Sequence, residues 1–169
     1  MHGEWRFRGH LAAIVALYVF DALMFDQGFL TAVVALVMLL PGALHVGLGL
    51  FEDRARARHG FRMIAGYVAV AVAVIATVRI NEGIARARGE RIVAALELYK
   101  AKHGAYPERL QELVPEYLPA VPLAKYNLVF NQFQYWYHAD EDDGFLMYPT
   151  LSFARHLYRL KTGQWSFMG

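Results

Sequence analysis

The sequence contains no cysteine among its 169 residues. Disulfide bonds, thiolate metal sites and a cysteine nucleophile are therefore excluded. The absence does not decide the redox compartment, because oxidising compartments also hold cysteine-free proteins.

Charged side chains are scarce as well. They make up 19% of the residues and leave a formal net charge of only +2, so no strongly basic surface indicates nucleic-acid binding. Hydrophobic residues make up 57% of the chain, and its mean hydropathy is +0.25. This length and composition fit a few membrane helices followed by one small domain better than a single soluble domain.

Three apolar runs predict three transmembrane helices in a membrane region of residues 1–80. They cover Leu11–Phe25, Phe29–Phe51 and Phe61–Ile80. The second run is long enough, at about 1.5 Å per residue, to cross a hydrocarbon core of about 30 Å. A signal peptide is the competing interpretation of the first run. It is disfavoured because the second run follows almost at once and no small-x-small cleavage site is present.

The distribution of arginines predicts the orientation of these helices. Two arginines precede the first run, none lies in the turn after it, and four lie in the predicted loop before the third run (Arg6 and Arg8, then Arg54, Arg56, Arg58 and Arg62). The positive-inside rule places the N-terminus and that loop in the cytoplasm. Three spans then deliver residues 81–169 to the periplasmic side of a bacterial inner membrane.

Residues 92–122 connect the apolar half of the chain to the polar half. Ile92, Leu96, Tyr99 and His103 recur at intervals of three or four residues. This spacing places them on one face of a helix. We expect Leu96 and Tyr99 to be buried, and Glu97 and Lys100 to be exposed. Gly104 is predicted to end this helix, and a second short helix is predicted between Pro107 and Pro115.

This stretch carries a pattern of type IV pilins and type II secretion pseudopilins. The matching residues are Tyr99, Lys100, Gly104, Tyr106, Pro107, Leu110, Leu113, Val114, Pro115, Tyr117, Leu118 and Pro122. The chain resembles that family from about residue 61 to 122, and more loosely to 169. The resemblance implies a hydrophobic helix that continues into an amphipathic one and leads into a pilin-like head. An ordinary helix, turn and helix in a small α+β domain is the alternative.

The remainder of the chain predicts a small antiparallel sheet. Phe133, Tyr135 and Tyr137 alternate with Gln134, Trp136 and His138. Such an alternation places the two sets on opposite faces of a β-strand. Hairpins are predicted at Asp143-Gly144 and around residues 161–163, and Pro149 should end a strand or lie at a sheet edge. The predicted fold is therefore a three-helix membrane region plus an α+β head built from a helix and an antiparallel sheet.

Gly60-Phe61 resembles the bond that prepilin peptidase cleaves, since arginines precede it and an apolar helix follows. The family's glutamate five residues into the mature helix is missing, because Ala65 stands there, and Arg62 replaces a small residue. We expect the chain to stay intact at this bond. The missing glutamate also argues against assembly into a filament.

His45 lies well inside an apolar run, where ionisable groups are candidates for function. Gly42 and Gly49 lie on the same helix face and allow close approach of a flat ligand or of another helix. The first alternative makes His45 a ligand of haem or chlorophyll. The second gives it a hydrogen bond to a neighbouring helix.

Two further charges fall near the outer ends of the predicted spans. Asp21 and Arg79 are expected to form a structural ion pair at one depth, because pairing lowers the cost of holding each near the bilayer. A transport site is the less favoured interpretation of this pair.

A cluster of carboxylates follows the first predicted strand, at Asp140, Glu141, Asp142 and Asp143. Calcium needs several oxygen ligands, and some pseudopilins that resemble this domain hold calcium in a C-terminal loop. The spacing fits no EF-hand, and a solvated hairpin turn is the alternative.

Four aromatic residues are candidates for a partner-contact surface: Trp136, Tyr148, Tyr158 and Trp165. Packing within the sheet and anchoring at the membrane interface are the alternatives. No catalytic motif is found. The sequence therefore predicts a non-catalytic accessory or structural subunit of an inner-membrane complex, in contact with the bilayer and with other membrane proteins. A subunit of a redox or photosynthetic complex with a tetrapyrrole near His45 is the first alternative, and a small transporter or membrane enzyme is the second.

Overall fold

The computed structural model describes residues 2–24, 28–150 and 154–168, and it consists of three helices followed by a four-stranded antiparallel sheet. The helices are α1 (His2–Met24), α2 (Phe29–Glu52) and α3 (Arg54–His103). The overall class is α+β, as the sequence predicts. The predicted turn at Asp26 and Gln27 lies outside the described residues.

A single extended residue, Asp53, separates α2 from α3. Its amide donates to the Gly49 carbonyl at 3.1 Å, and its side-chain Oδ1 accepts the Ala55 amide at 2.8 Å. Asp53 therefore caps the start of α3, and the alanines and arginines that follow are good helix formers. The predicted loop from Arg54 to Arg62 is wrong, since these residues form the first turns of α3.

Among the described residues, two helices are long and apolar enough to cross a membrane by length and composition. They are α2, over Thr31–Phe51 with a mean hydropathy of 2.2, and α3, with 2.1 in its apolar stretch. Large apolar side chains on both helices are exposed, among them Leu36, Leu40, Val72 and Ile75. Helix α1 does not meet the same criterion.

The chain divides into two compact units, residues 1–78 and 79–169, with the boundary inside α3. In the first unit, buried apolar residues come from all three helices: Ile14 of α1, Ala35 of α2, and Met63, Tyr67 and Val70 of α3. The Tyr18 hydroxyl of α1 is also hydrogen-bonded to Thr77 of α3. Helix packing therefore builds this unit.

In the second unit, which we call the head, four strands form a meander. They are β1 (Gln134–His138), β2 (Asp143–Pro149), β3 (Arg155–Arg159) and β4 (Gln164–Met168), in the order β1-β2-β3-β4. Both predicted hairpins are present, and Pro149 is the last residue of β2. The turn of the first hairpin lies at residues 139–142, so the predicted turn residues Asp143 and Gly144 instead begin β2. One register line joins Tyr135, Leu146, Tyr158 and Trp165 across the sheet.

The part of α3 that lies in the head supplies the other side of its core. Ile92, Ala95 and Leu96 are buried in one cluster with Leu146, Tyr148 and Tyr158 of the sheet. The predicted buried face is confirmed at Ile92 and Leu96, and Glu97 is exposed as predicted. Tyr99 and Lys100 are both half-buried, so the predicted contrast between these two residues is wrong. His103 is exposed and stacks on the Tyr99 ring, with ring centroids 4.2 Å apart. It therefore does not belong to the core, although its place on the predicted apolar face implied that it would.

Helix α3 ends where the sequence predicts. Gly104 has a φ of +84°, which only glycine adopts readily, and its amide donates to the Lys100 carbonyl at 2.8 Å. A short 3₁₀ helix, Leu110–Leu113, follows, and both of its terminal leucines are buried. It is shorter than the helix predicted between Pro107 and Pro115.

Candidate functional site

His45 lies on α2 and has two described neighbours. Its Nδ1 is 2.7 Å from the Pro41 carbonyl, four residues earlier in the same helix, and its ring centroid is 5.6 Å from that of His59 on α3. A carbonyl can only accept a hydrogen bond, so Nδ1 must carry the proton. In the neutral ring, Nε2 is then the acceptor. Nδ1 thus bonds within α2, and the predicted hydrogen bond of His45 to a neighbouring helix stays a prediction.

The glycine face beside His45 is filled by α3. A Cβ added at Gly49 would lie 2.2 Å from the Ala57 nitrogen, and one added at Gly60 would lie 2.7 Å from the Gly42 carbonyl oxygen. These distances mean that backbone meets backbone, as in close helix pairs built on small residues. Of the two alternatives at Gly42 and Gly49, the structure contains the second helix. No room for a flat macrocycle is left on this face.

The Gly60-Phe61 bond lies inside α3, and Gly60 is buried against α2. A peptidase must bind its substrate in an extended form, and this segment would have to leave the helix first. The expectation that the chain stays intact here remains a prediction.

Asp21 and Arg79 each have a described contact within their own unit. Asp21 is buried and accepts the Gly28 amide at 2.6 Å, which holds the left-handed Gly28 (φ +63°) at the start of α2. The Arg79 side chain is exposed and lies 3.9 Å from Glu82, one turn along α3. Asp21 thus has a structural role without Arg79, and the predicted ion pair stays a prediction.

The acidic turn belongs to the β1-β2 hairpin, and two of its carboxylates contact different basic side chains. Lys100 Nζ contacts both oxygens of Asp142 at 2.8 and 3.1 Å, and the Tyr137 hydroxyl donates to Oδ1 at 2.9 Å. Lys100 and Tyr137 hold the pKa of the Asp142 carboxyl below its usual value. Asp143 lies 3.7 Å from Arg159.

Within the described part of the chain, no three carboxylate or histidine side chains come together in a way that could hold a metal ion. The calcium interpretation of Asp140, Glu141, Asp142 and Asp143 is therefore not supported. Asp142 connects this turn to α3 through Lys100, and Asp143 connects it to β3 through Arg159.

Two of the four aromatic residues predicted at a contact surface are buried. Tyr148 and Tyr158 lie on the sheet face that packs on α3, and both belong to the core of the head. Burial raises the pKa of Tyr148 to about 12. The prediction of an exposed surface is wrong for these two residues, because strand alternation defines two faces without telling which one the helix covers.

Trp165 is half-buried on the same face. Its ring approaches Gly89 of α3 so closely that a Cβ there would lie 2.9 Å from it, and the Arg86 guanidinium stacks over the ring at 4.4 Å. Trp165 therefore packs on α3 at Gly89 and Arg86. Only Trp136 of the four aromatic residues is exposed, on the opposite face of the sheet, where it packs beside Phe145 at 5.2 Å.

A surface that the sequence interpretation missed lies in the segment between the 3₁₀ helix and β1. Leu123, Tyr126, Leu128 and Val129 are all exposed there. An alternation of polar and apolar residues is visible in Lys125, Tyr126, Asn127 and Leu128, but the segment forms no strand. Its alternation could have indicated two faces, although not which one points outwards.

No family model, curated protein or solved structure matches this chain. The likeness to pilins and pseudopilins therefore rests on the residues between 61 and 122 and remains a resemblance.

Proposed function

We propose that this protein is a non-catalytic accessory or structural subunit of a bacterial inner-membrane assembly. Three spans would anchor it, with the N-terminus in the cytoplasm and the head in the periplasm. The mechanism would be placement: the helices hold the head at the membrane surface, and the head presents one sheet face to a partner protein.

The observation that carries this proposal is the composition of α3. The same helix contains an apolar stretch long enough to cross a membrane and, farther along, the buried residues Ile92 and Leu96 that hold the sheet. The helix that would cross the membrane is therefore also the element that packs on the sheet. The order of a long apolar helix, an amphipathic continuation and an antiparallel meander agrees with the pilin resemblance, which is an analogy at the level of fold.

The outer face of the sheet supports the contact role. Register places Trp136 and Phe145 opposite each other, and Leu157 and Met168 lie on the same face, away from the helix-packed core. Trp136 and Met168 are exposed, and Phe145 and Leu157 are half-buried. Aromatic residues and methionine are enriched in protein interfaces, which makes this face the better candidate for a partner.

Photocrosslinking in native membranes tests the contact. With benzoylphenylalanine replacing Trp136 in the full chain, we expect a crosslinked adduct to a second membrane protein upon irradiation. The matched control carries the same group in place of Tyr158, which is buried in the head and should give no adduct. Adducts of equal yield from both positions, or none from Trp136, would contradict the assignment of this face.

The orientation depends on which arginines are counted. Four arginines precede the apolar stretch of α3 (Arg54, Arg56, Arg58 and Arg62), and four follow it (Arg79, Arg86, Arg88 and Arg91). These two groups balance, so the absence of arginine from residues 22–30 and the two arginines of the N-terminal segment decide the orientation. If α2 and α3 alone crossed the membrane, a cytoplasmic Arg54–Arg62 segment would still place the head outside.

A reporter fusion tests the side on which the head lies. Alkaline phosphatase fused after Gly169 should be active in a bacterial host, because this enzyme needs the oxidising periplasm for its disulfides. The same enzyme fused after Arg58 should be inactive, while green fluorescent protein at that point should be fluorescent. Activities in the reverse order would refute the proposed topology.

A further inference from the structure

Two histidines meet where α2 packs on α3. The ring centroids of His45 and His59 lie 5.6 Å apart, with 62° between the ring planes. His45 belongs to α2 and His59 to the first turns of α3, and both residues lie in the same compact unit. Imidazole is the commonest protein ligand of transition metals, so a pair held across two helices is a candidate metal site.

The distance between the two rings suits a shared metal ion. Such an ion lies about 2.0–2.1 Å from each ligating imidazole nitrogen, which puts the centroids of two rings that share it about 5 to 6.5 Å apart. The observed separation falls within this range. Both histidines are half-buried, so a solute can reach the pair from outside the helix contact.

The second ring nitrogen of His45 already has the contact that a metal ligand needs. Nδ1 donates to the Pro41 carbonyl at 2.7 Å, which leaves the lone pair of the neutral ring on Nε2. Histidines that bind metals almost always donate their other N–H to a carbonyl or carboxylate, because this bond fixes the ring and raises the basicity of the ligating nitrogen. His45 is therefore oriented to bind a metal ion through Nε2.

The close packing of α2 and α3 fixes the separation of the two rings. An added Cβ at Gly49 would lie 2.2 Å from the backbone of α3, and one at Gly60 would lie 2.7 Å from the backbone of α2. Gly49 follows His45 by four residues, and Gly60 follows His59 directly. Ligands on rigid elements that are already in place need little reorganisation when the ion binds.

The residues around the pair determine which ions can bind. Arg56 and Arg58 lie just before His59, so their positive charge does not attract cations in general. Mg²⁺ and Ca²⁺ need oxygen ligands, which two imidazoles do not supply. Cu²⁺, Ni²⁺ and Zn²⁺ bind imidazole nitrogen, and Cu²⁺ binds it most tightly.

We propose that His45 and His59 form a binding site for a divalent transition-metal ion, which joins α2 to α3 through one nitrogen of each ring. Water completes the coordination, because the described residues bring no third histidine or carboxylate to the pair. The bound ion stabilises the helix pair, since a ligand that binds only the folded state shifts the equilibrium towards it. This site is independent of the proposed partner contact of the head.

Electron paramagnetic resonance of Cu²⁺ tests the two ligands directly. One equivalent of Cu²⁺ is added to the full chain, without an affinity tag, in detergent micelles. We expect coupling of the copper electron to two imidazole nitrogens. His45→Ala and His59→Ala should each lose the coupling to one of them. His10→Ala, which removes an exposed histidine of the same unit, is the matched control and should keep both.

A spectrum that neither pair substitution changes would mean that copper is held elsewhere, and would overturn the site. A change in His45→Ala alone would show that His59 is not a ligand and that the two rings make an aromatic contact only. This result would overturn the site as well.

A second measurement needs no variant, so it does not depend on whether the substituted chains fold. The parent chain is unfolded by sodium dodecyl sulfate in mixed micelles, with and without Ni²⁺. At a Ni²⁺ concentration 100 times its dissociation constant, the ratio of folded to unfolded protein should rise about 100-fold. Ethylenediaminetetraacetate should reverse the rise, and Mg²⁺ should cause none. An unchanged midpoint with Ni²⁺, or an equal shift with Mg²⁺, would refute the metal bridge between α2 and α3.

Discussion

Truncation of Leu96 to alanine is expected to lower the free energy of unfolding of the head by about 2 to 5 kcal/mol, the usual range for a buried leucine. Leu96 is fully buried between α3 and the sheet, in the same cluster as Leu146 and Tyr158. Removal of its side chain leaves a cavity that these neighbours can fill only in part. The loss is a large share of the 5 to 15 kcal/mol that holds a typical domain together.

The measurement is urea unfolding of the full chain in detergent micelles, followed by tryptophan fluorescence, to which Trp165 in the head contributes. The matched control is Leu98→Ala, the same substitution two residues farther along α3, where the side chain is 60% exposed. It should change stability by no more than about 0.5 kcal/mol. Glu97→Ala is a less suitable control than the sequence suggests, because Glu97 accepts the Tyr106 hydroxyl at 2.7 Å. Equal, mild effects of the two leucine substitutions would mean that α3 is not packed on the sheet.

The second large effect is expected at Gly49, where a single added methyl group should disrupt the pairing of α2 with α3. Its Cβ would lie 2.2 Å from the Ala57 nitrogen and 2.7 Å from Ala57 Cα. Both atoms belong to the backbone, so a side-chain rotation cannot relieve the clash, and the helices must move apart. Overpacking of this kind costs about 1 to 3 kcal/mol, and occasionally more.

Gly47→Ala is the matched control, because a Cβ at Gly47 meets no atom within 4 Å. Alanine forms helix better than glycine by about 1 kcal/mol, so this variant should be as stable as the parent or more stable. The two variants are compared by the sodium dodecyl sulfate fraction that unfolds the purified protein in mixed micelles. We expect the midpoint to fall for Gly49→Ala and to stay or rise for Gly47→Ala. A fall of the same size in both would show that the close approach of α2 and α3 does not stabilise this unit.

Features that depend on a few adjacent residues could be predicted from the sequence. Gly104 ends α3, Pro149 ends β2, and the hairpins form where turn residues interrupt alternation, because each is decided by local backbone chemistry. The buried face of α3 at Ile92 and Leu96 was also predictable, since helical periodicity is itself local.

Features that depend on a partner distant in sequence could not be predicted. The aromatic pattern of the sheet does not tell which face α3 covers, so the sequence offers Tyr148 and Tyr158 for a contact surface although both are buried. Lys100 and Arg159, which engage the acidic turn, lie on elements whose approach is set by the whole head. The arginine-rich segment after Asp53 differs from its prediction for another reason. Its charge predicts a loop, whereas an aspartate cap and helix-forming residues start α3 there.

The order of the strands has a consequence for how the head could form during export. Every strand pairs with the one that precedes it in the chain, from β1 through β4. Sheets of such short-range pairings fold faster than sheets that must join distant segments. In the proposed topology, each strand that reaches the periplasm would find its neighbour already there, with α3 anchored behind it. The sheet could then grow one hairpin at a time as translocation proceeds, each new strand pairing with the free edge of the strand before it.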